Sequence, residues 1–416
     1  MIESAPLRLT KGLGPSLDDA GTADLHGTSL FAADRDFPQL TLDESAIAHN
    51  IAQMMAYVRS RGVALAPHGK TAMSPALAWR QMDAGAWGIT AATPTQLRVY
   101  RAAGLPRLLL ANQLVEPGAI AWLRGELAAD AEFTCPVYAD SFDGLALLAG
   151  PADQRPLDVL LEVGHPGGRT GVRGADALRA LAEQAARTPG IRVVGIATYE
   201  GTLAGDTETA KADNVRDFAR ELAALTLALN DEGLLPEDGI VSLGGSAYFD
   251  AAVDGLIDGG FPAARILLRS GAYLTHDDGL YARTTPLTRA SAGSPELRSA
   301  IRVWAPVLSI PEPGLVIALC GRRDVGFDQD LPVVLGVRGR DGSAPRAFAG
   351  RIEQLADQHA FIRFDADAPG ETAAPRVGDL LELGISHPCT TLDRWGLVPL
   401  VDDDLRIREL IRLHFT

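Results

Sequence analysis

Eight repeats of one pattern, from about residue 63 to about residue 273, constrain the fold more than any other feature of this sequence. Each repeat has a short apolar or β-branched run, a loop of small and polar residues, and an amphipathic stretch rich in Ala and Leu. This pattern is typical of strands that alternate with helices. The strand candidates are Val63–Pro67, Trp87–Ala92, Arg107–Ala111, Phe133–Ala139, Leu157–Val163, Arg192–Thr198, Gly239–Leu243 and Arg265–Leu268. Eight alternations predict a closed (β/α)8 barrel of the TIM type, with an open doubly wound parallel sheet as the structural alternative.

The helix candidates between these strands begin at Pro or at a capping residue and end near Gly, as helices commonly do. They include Pro75–Ala84, Pro94–Ala103, Gly174–Arg187 and Thr207–Asn230, and a further helix, Asp43–Arg59, precedes the first strand. After about Arg283 the alternation stops, and short extended runs separated by Gly, Pro and Asp predict a C-terminal all-β domain. We therefore expect a barrel over residues 36–283 and a β domain formed by residues 1–35 together with 284–416.

Composition excludes several classes of partner. The formal charge of −15 works against nucleic acid and anionic membranes, because phosphate groups favour clustered Lys and Arg. The N-terminus lacks a basic segment followed by an apolar run, and no stretch approaches the roughly 18 apolar residues of a membrane helix, so we expect a cytoplasmic protein. Three cysteines, Cys135, Cys320 and Cys389, are too few and too scattered for a disulfide framework.

The loops that follow the predicted strands carry the candidate chemistry, since reacting groups of a β/α barrel collect there. Lys70 is the only lysine among these eight loops, and a lysine at a barrel mouth is a candidate Schiff-base nucleophile. The loops after strands seven and eight read Gly244-Gly245-Ser246 and Ser270-Gly271-Ala272-Tyr273. Such loops commonly bind phosphate through backbone N–H groups. Together these features predict pyridoxal phosphate or a Schiff-base aldolase, against the plainer alternative of a solvated lysine and two tight turns.

A second candidate site lies in the predicted β domain, at Ser386-His387-Pro388-Cys389-Thr390. On an extended strand His387 and Cys389 would point to the same face, which suits two ligands of one metal ion. An imidazole and a thiolate favour zinc. The alternative is a buried histidine beside a small apolar cysteine.

The motifs in their order resemble the D-serine dehydratase and D-threonine aldolase family of fold-type III pyridoxal-phosphate enzymes, which are akin to the alanine-racemase barrel. The matching segments are Pro67-His68-Gly69-Lys70-Thr71, Gly168-Arg169-Thr170, Tyr199-Glu200-Gly201, Gly244-Gly245-Ser246, Arg269-Ser270-Gly271-Ala272-Tyr273 and His387-x-Cys389. The resemblance implies that Lys70 binds the cofactor, that Arg169 contacts its phenolic oxygen and that Tyr199 lies near its pyridine nitrogen. It also implies a phosphate site formed by Gly244, Gly245, Ser246, Gly271, Ala272 and Tyr273, and zinc on His387 and Cys389.

The reaction that this resemblance implies is dehydration of a D-3-hydroxy amino acid, such as D-serine, to a 2-oxo acid and ammonia. Lys70 would remove the Cα proton, and a divalent metal on His387 and Cys389 would help the β-hydroxyl to leave. The thiolate favours the dehydratases, because the aldolases of the family generally present a carboxylate at that position. The chain departs from the family at Ala72 and Thr202, where histidines are frequent and where we expect the substrate to lie nearby.

Three alternatives stay open. The first is metal-dependent retro-aldol cleavage to glycine and an aldehyde, and the second is racemisation, which lacks an identifiable base on the opposite face. The third is a non-catalytic pyridoxal-phosphate-binding protein, against which the β domain and the metal pair argue. The family further implies a homodimer in which the β domain of the partner chain completes each active site.

Overall fold

The computed structural model describes residues 11–13, 25–286, 296–339, 344–367 and 374–415, so the predicted segment 1–35 lies partly outside the described residues. Strand β1 (Gln39–Asp43) leads directly into helix α1 (Glu44–Arg61). The Asp43 carboxylate accepts a hydrogen bond of 2.8 Å from Ala46 N and caps the helix, which ends at Gly62 with φ 68°. A left-handed residue of this kind is a common helix stop. The predicted helix at 43–59 is present.

Eight parallel strands follow and form the barrel. They are β2 (Ala64–Leu65), β3 (Ile89–Ala91), β4 (Leu108–Leu110), β5 (Val137–Ala139), β6 (Leu157–Val163), β7 (Ile191–Thr198), β8 (Ile240–Leu243) and β9 (Ile266–Leu268). Six of them pair in the order β2-β9-β8-β7-β6-β5, and β3 pairs with β4. Bridges between His68 and Thr90, and between Arg107 and Thr134, join this pair to β2 and β5. Backbone hydrogen bonds therefore link every strand to two neighbours, as the eightfold repeat predicts.

The side chains of these strands alternate between two cores, as the period of a strand requires. Leu109 and Leu160 belong to a small buried cluster with Tyr138, Ala197 and Leu267, which fills the interior of the barrel. Their neighbours along the strands pack instead into the larger core together with the apolar faces of the helices. These helices are α2 (Pro75–Asp83), α3 (Pro94–Ala102), α4 (Pro117–Ala129), α5 (Phe142–Leu148), α6 (Ala175–Arg187), α7 (Glu208–Asp231) and α8 (Phe249–Asp258). None of the helices in the described ranges is long and apolar enough to cross a membrane.

The C-terminal third of the chain is rich in strands, as predicted. It contains helix α9 (Leu280–Thr284), strands β10 (Ile301–Glu312), β11 (Leu315–Ala318), β12 (Val333–Arg338), β13 (Gly350–Leu355), β14 (Ala360–Phe364) and β15 (Leu380–Gly384), helix α10 (Pro388–Leu392), and strands β16 (Leu397–Val401) and β17 (Ile407–Arg412). All eight of these strands share one nine-stranded sheet with β1, which pairs antiparallel with β10 and parallel with β16. The predicted boundary at residue 36 therefore assigns one strand of this sheet to the barrel, whereas a boundary after Asp43 follows the strand pairing.

Candidate active site

Lys70 lies in a single 3₁₀ turn, Gly69–Thr71, directly after the first barrel strand. The hydroxyl of the buried Tyr100 donates a hydrogen bond of 2.8 Å to the Gly69 carbonyl oxygen and fixes this turn. A side chain at position 69 would overlap the Tyr100 ring, which explains the glycine. The Lys70 side chain is exposed, and its amine makes no hydrogen bond or ion pair with the residues that the structure describes. Lys70 therefore presents an unpaired amine at the barrel mouth.

This amine faces two adjoining cavities, an inner one of about 200 Å³ and an outer cleft of about 860 Å³. Lys70, Tyr199, Ser246, Tyr281 and Cys389 line both. The inner cavity is bounded by the loops that follow the barrel strands, and it also receives His68, Arg169, Arg269 and Gly271. Three cationic side chains thus meet in the inner cavity, which favours a ligand that carries negative charge.

Two of the cations are fixed in different ways. Arg169 is exposed and lies over the Tyr199 ring, 4.9 Å from its centre, so both residues predicted to contact the pyridoxal ring are brought together. Arg269 is buried and donates to Ser242 Oγ at 2.9 Å and to the Thr198 carbonyl oxygen at 2.7 Å. Arg269 forms no ion pair with the carboxylates of the described residues, so its charge remains available to an anionic ligand.

His68 adds a neutral ring to the inner cavity. Burial, and then the charges of Lys70 and Arg269, lower the pKa of His68 well below its usual value. Its Nδ1 is buried without a hydrogen-bond partner among the described residues. A buried polar atom of this kind carries a desolvation cost unless a ligand or a water satisfies it. The cavity therefore presents an unsatisfied polar atom beside the Lys70 turn, as expected of a site that holds a polar group.

The predicted phosphate loops are only partly free to bind an anion. The buried Glu200 carboxylate accepts hydrogen bonds from the backbone N–H groups of both Gly244 and Gly245, the first at 3.2 Å. The Ala272 N–H donates to Ser246 Oγ at 3.2 Å. Three of the predicted phosphate donors are thus engaged within the protein. Sequence analysis assigned no such role to Glu200, which lies 44 residues before Gly244.

The remaining donors suit a phosphate. The N–H groups of Ser246 and Gly271 have no partner among the described residues, and both residues line the inner cavity. A Cβ atom on Gly271 would collide with the His68 backbone, so only glycine allows this close approach. Tyr273 does not line the cavity. Its buried hydroxyl donates instead to Gln81 Oε1 at 2.8 Å, because the ring points into the core beneath α2.

The second candidate pair lies on a different element from the one expected. His387 is the N-cap residue of α10, and Cys389 lies in its first turn after Pro388, so the extended strand that we predicted is absent here. Proline is favoured at the first position of a helix because its φ is already helical. The two side chains still lie close enough for each to shift the pKa of the other. Helix α10 thus brings them together by a turn rather than by the alternation of a strand.

This pair reaches the lysine turn within a single chain. Cys389 Sγ lies 3.3 Å from the Oγ1 atom of Thr71, which is the residue next to Lys70. Burial alone would raise the pKa of Cys389, but hydrogen bonds from His387 and Thr71 and the charge of Lys70 lower it below its usual value. Burial likewise would lower the pKa of His387, whereas Cys389 and Asp328 raise it to about 9. A thiolate beside an imidazole is the soft donor set that zinc prefers.

Several residues of the site gave no signal in the sequence. Tyr281 lines both cavities, and its ring meets the His387 ring edge-on at 6.4 Å between centres. Burial, followed by the charge of Cys389, raises the pKa of Tyr281. By contrast, neither Ala72 nor Thr202 lines the two cavities, and the Thr202 hydroxyl bonds to His165 Nε2 at 2.8 Å. Both positions were expected near the substrate.

Comparison with known proteins agrees with this architecture. The family model described as "Alanine racemase, N-terminal domain" matches residues 42–255, and the model "Putative serine dehydratase domain" matches residues 300–401. The chain is 29% identical over 373 residues to a D-threonine aldolase of Arthrobacter sp., covering 88% of this chain and 89% of the relative. It is 30% identical over 173 residues to a D-threo-3-hydroxyaspartate dehydratase of Delftia sp., covering 40% of this chain and 44% of the relative. The crystal structure of a D-threonine aldolase from Filomicrobium marinum superposes with a TM-score of 0.76 at 27% identity, covering 92% of this chain and 96% of that one.

Proposed function

The chain belongs to the alanine-racemase-like family, and on this premise we propose that it is a pyridoxal-phosphate-dependent lyase of D-3-hydroxy amino acids. We propose dehydration to a 2-oxo acid and ammonia as the reaction. The single observation that carries this proposal is the contact between Thr71 and Cys389, which brings the His-x-Cys pair beside the Lys70 amine in one cavity. Relatives named as D-threonine aldolase and D-threo-3-hydroxyaspartate dehydratase support the substrate class.

The residues of the inner cavity fit the cofactor. Lys70 would hold it covalently, and the free N–H groups of Ser246 and Gly271 would bind its phosphate. Arg169 and Tyr199 would flank the ring, with Arg169 beside the phenolic oxygen as a fixed cation. When bound, pyridoxal phosphate supplies an electron sink for the bond that breaks at Cα. The three cationic groups of the cavity further suit the carboxylate of an amino acid.

The residues of the lysine turn and of α10 divide the remaining chemistry. Once the amine of the substrate has released Lys70 from the cofactor, the freed Lys70 amine would take the Cα proton of the D-enantiomer. His387 and Cys389 provide two protein ligands, which leaves positions for the substrate, as a catalytic metal site requires. His387 and Cys389 would hold a divalent ion, for which we propose zinc, and this ion would act as a Lewis acid toward the β-hydroxyl. Loss of this proton and hydroxyl gives an unsaturated amine, which water hydrolyses to the 2-oxo acid and ammonia.

Retro-aldol cleavage to glycine and an aldehyde is the second candidate, because the likeness to the Arthrobacter D-threonine aldolase spans 88% of the chain. It uses the same cofactor and metal but removes the hydroxyl proton instead of the hydroxyl group. The thiolate of Cys389 is our reason for ranking dehydration first, since it is a softer ligand than a carboxylate.

One experiment separates these reactions. The purified protein, loaded with pyridoxal phosphate and Zn²⁺ or Mn²⁺, is incubated with D-serine, D-threonine and D-3-hydroxyaspartate, and with the L-enantiomers as matched controls. Dehydration yields a 2-oxo acid and ammonia in equal amounts from the D-substrates alone. Glycine and an aldehyde would establish the aldolase instead. Absence of turnover in the presence of a normal cofactor absorbance band would leave a non-catalytic pyridoxal-phosphate-binding protein.

We also propose that the protein acts as a homodimer, as the family resemblance implies. Obligate interfaces of this kind bury on the order of 2,000 Å² or more. The contact between Cys389 and Thr71 is made within one chain, so a partner is not needed to supply the metal pair. Analytical ultracentrifugation at the assay concentration tests the proposal, and a fully active monomer would contradict it.

A further inference from the structure

The loop that connects β11 to β12 carries a carboxylate that contacts His387, one residue of the candidate metal pair. Asp328 Oδ2 lies 2.7 Å from His387 Nδ1, although the two residues are 59 positions apart in the sequence. Sequence analysis assigned no role to Asp328. We propose that Asp328 is a positioning residue that orients His387 for metal binding, an inference that rests on the proposed metal site at His387 and Cys389.

The geometry fixes which ring nitrogen is free. A neutral imidazole carries one proton, and the nitrogen that donates this proton to a carboxylate leaves the other nitrogen as the electron-pair donor. Because Nδ1 faces Asp328, the Nε2 atom of His387 is left for the metal. Ligating histidines commonly make such an outer bond to a carboxylate, which sets the tautomer and raises the basicity of the ligand.

Asp328 is itself held in place by α10. Thr390 Oγ1 donates to Asp328 Oδ1 at 2.5 Å, so the carboxylate bridges the residue on each side of the Pro388-Cys389 step. Thr391 Oγ1 donates to the His387 carbonyl oxygen at 2.9 Å and accepts from Gly326 N at 2.9 Å, which ties the same loop to the same helix. These hydrogen bonds therefore hold the His387 ring in place in the absence of a metal ion.

The chain offers a matched control two residues further along this loop. Asp330 accepts a hydrogen bond of 3.0 Å from Ser386 Oγ and pairs with Arg283, but it makes no described contact with the His387 ring. Replacing Asp330 removes the same formal charge from the same loop, two residues further along the chain. The Asp330 variant therefore shows how much metal affinity changes with the loss of charge alone, without loss of the hydrogen bond to His387.

The test is Zn²⁺ affinity, measured by competition with a chromophoric chelator on the full-length protein, together with the Co²⁺ absorption spectrum. We expect Asp328→Ala to raise the dissociation constant about 10- to 100-fold, the usual effect of losing such an outer partner. Asp328→Asn keeps an oxygen that accepts from Nδ1–H, so its effect is expected to be smaller. Asp330→Asn is expected to bind Zn²⁺ like the unaltered protein.

The outcomes distinguish this inference from the proposal on which it rests. If the unaltered protein binds Zn²⁺ and both Asp328 variants bind it equally well, the positioning role is wrong while the metal site stands. If Asp330→Asn loses as much affinity as Asp328→Ala, the effect is one of charge, and the role of the hydrogen bond is again wrong. If the unaltered protein binds no Zn²⁺, the metal site and the inference fall together.

Discussion

Replacing Gly271 with alanine would test whether the approach of this residue to the lysine turn sets the geometry of the cofactor site. The backbone of Gly271 has φ −128° and ψ −31°, which alanine can adopt without strain, so any effect must be steric. A Cβ atom there would lie 2.9 Å from His68 Cβ and still closer to the His68 carbonyl oxygen. Carbon atoms in good contact are about 3.5–4.0 Å apart, so the His68 backbone must shift by about 0.6–1.1 Å.

This shift has two measurable consequences. Overpacking of this kind costs about 1–3 kcal/mol of unfolding free energy, and it displaces a segment that lies two residues before Lys70. A misplacement of about 1 Å near the reacting groups can lower the rate about 100-fold. We therefore expect Gly271→Ala to unfold at a lower urea concentration, to titrate more weakly with pyridoxal phosphate by absorbance, and to turn over about 100-fold more slowly.

Gly125 supplies the control for this experiment. It lies inside α4 with open space around its missing Cβ, so Gly125→Ala should gain up to about 1 kcal/mol from helix propensity and leave the cofactor site unchanged. If Gly271→Ala instead unfolds, binds pyridoxal phosphate and turns over like the unaltered protein, the close packing of Gly271 on His68 does not determine the site. The phosphate contact of the Gly271 N–H would then need to be reconsidered.

Three further predictions concern the lysine, the metal pair and a buried histidine. Lys70→Ala should abolish turnover and the Schiff-base absorbance band, because no other lysine among the described residues lines the inner cavity. A Lys70→Ala variant that keeps both turnover and the band would refute the assignment of Lys70 to the cofactor. Cys389→Ala should lose bound metal and dehydratase activity while keeping the Schiff-base band. Cys389→Asp should shift the metal preference toward Mn²⁺, a harder ion. Normal metal content in Cys389→Ala would show that His387 and Cys389 are core residues and not metal ligands. Burial lowers the pKa of His276 from 6.5 to about 4, so the folded protein should lose about 3 kcal/mol of stability as the pH falls from 6.5 through 4. His276→Asn, which tolerates the φ of 48° at this position, should reduce this loss in urea unfolding at pH 7 and pH 4.5, and an unchanged pH dependence would show that His276 is not its source.

The candidate site shows why some functional residues are visible in a sequence and others are not. Lys70, Gly271 and the His387-x-Cys389 pair belong to short motifs, and their position after a strand or in a short loop can be recognised locally. Glu200, Arg269 and Asp328 act through partners that lie 45, 71 and 59 residues away, respectively. Such contacts arise only when distant elements pack, so the matched segments contained Glu200 and Arg269 without indicating their partners, and nothing in the sequence pointed to Asp328.

The sequence by itself determined the elements whose signal is local. The period of two in strands and of three to four in helices can be recognised from neighbouring residues. The eight barrel strands, most of their helices and the strand-rich C-terminal third were therefore all predicted. The tertiary structure alone decided what depends on partners. Strand β1 is a strand because β10 and β16 flank it, and strands owe much of their stability to such neighbours. Likewise, Pro388 starts a helix where an extended run was expected, and the packing of α10 on the lysine turn brings Cys389 to Thr71 across 318 residues.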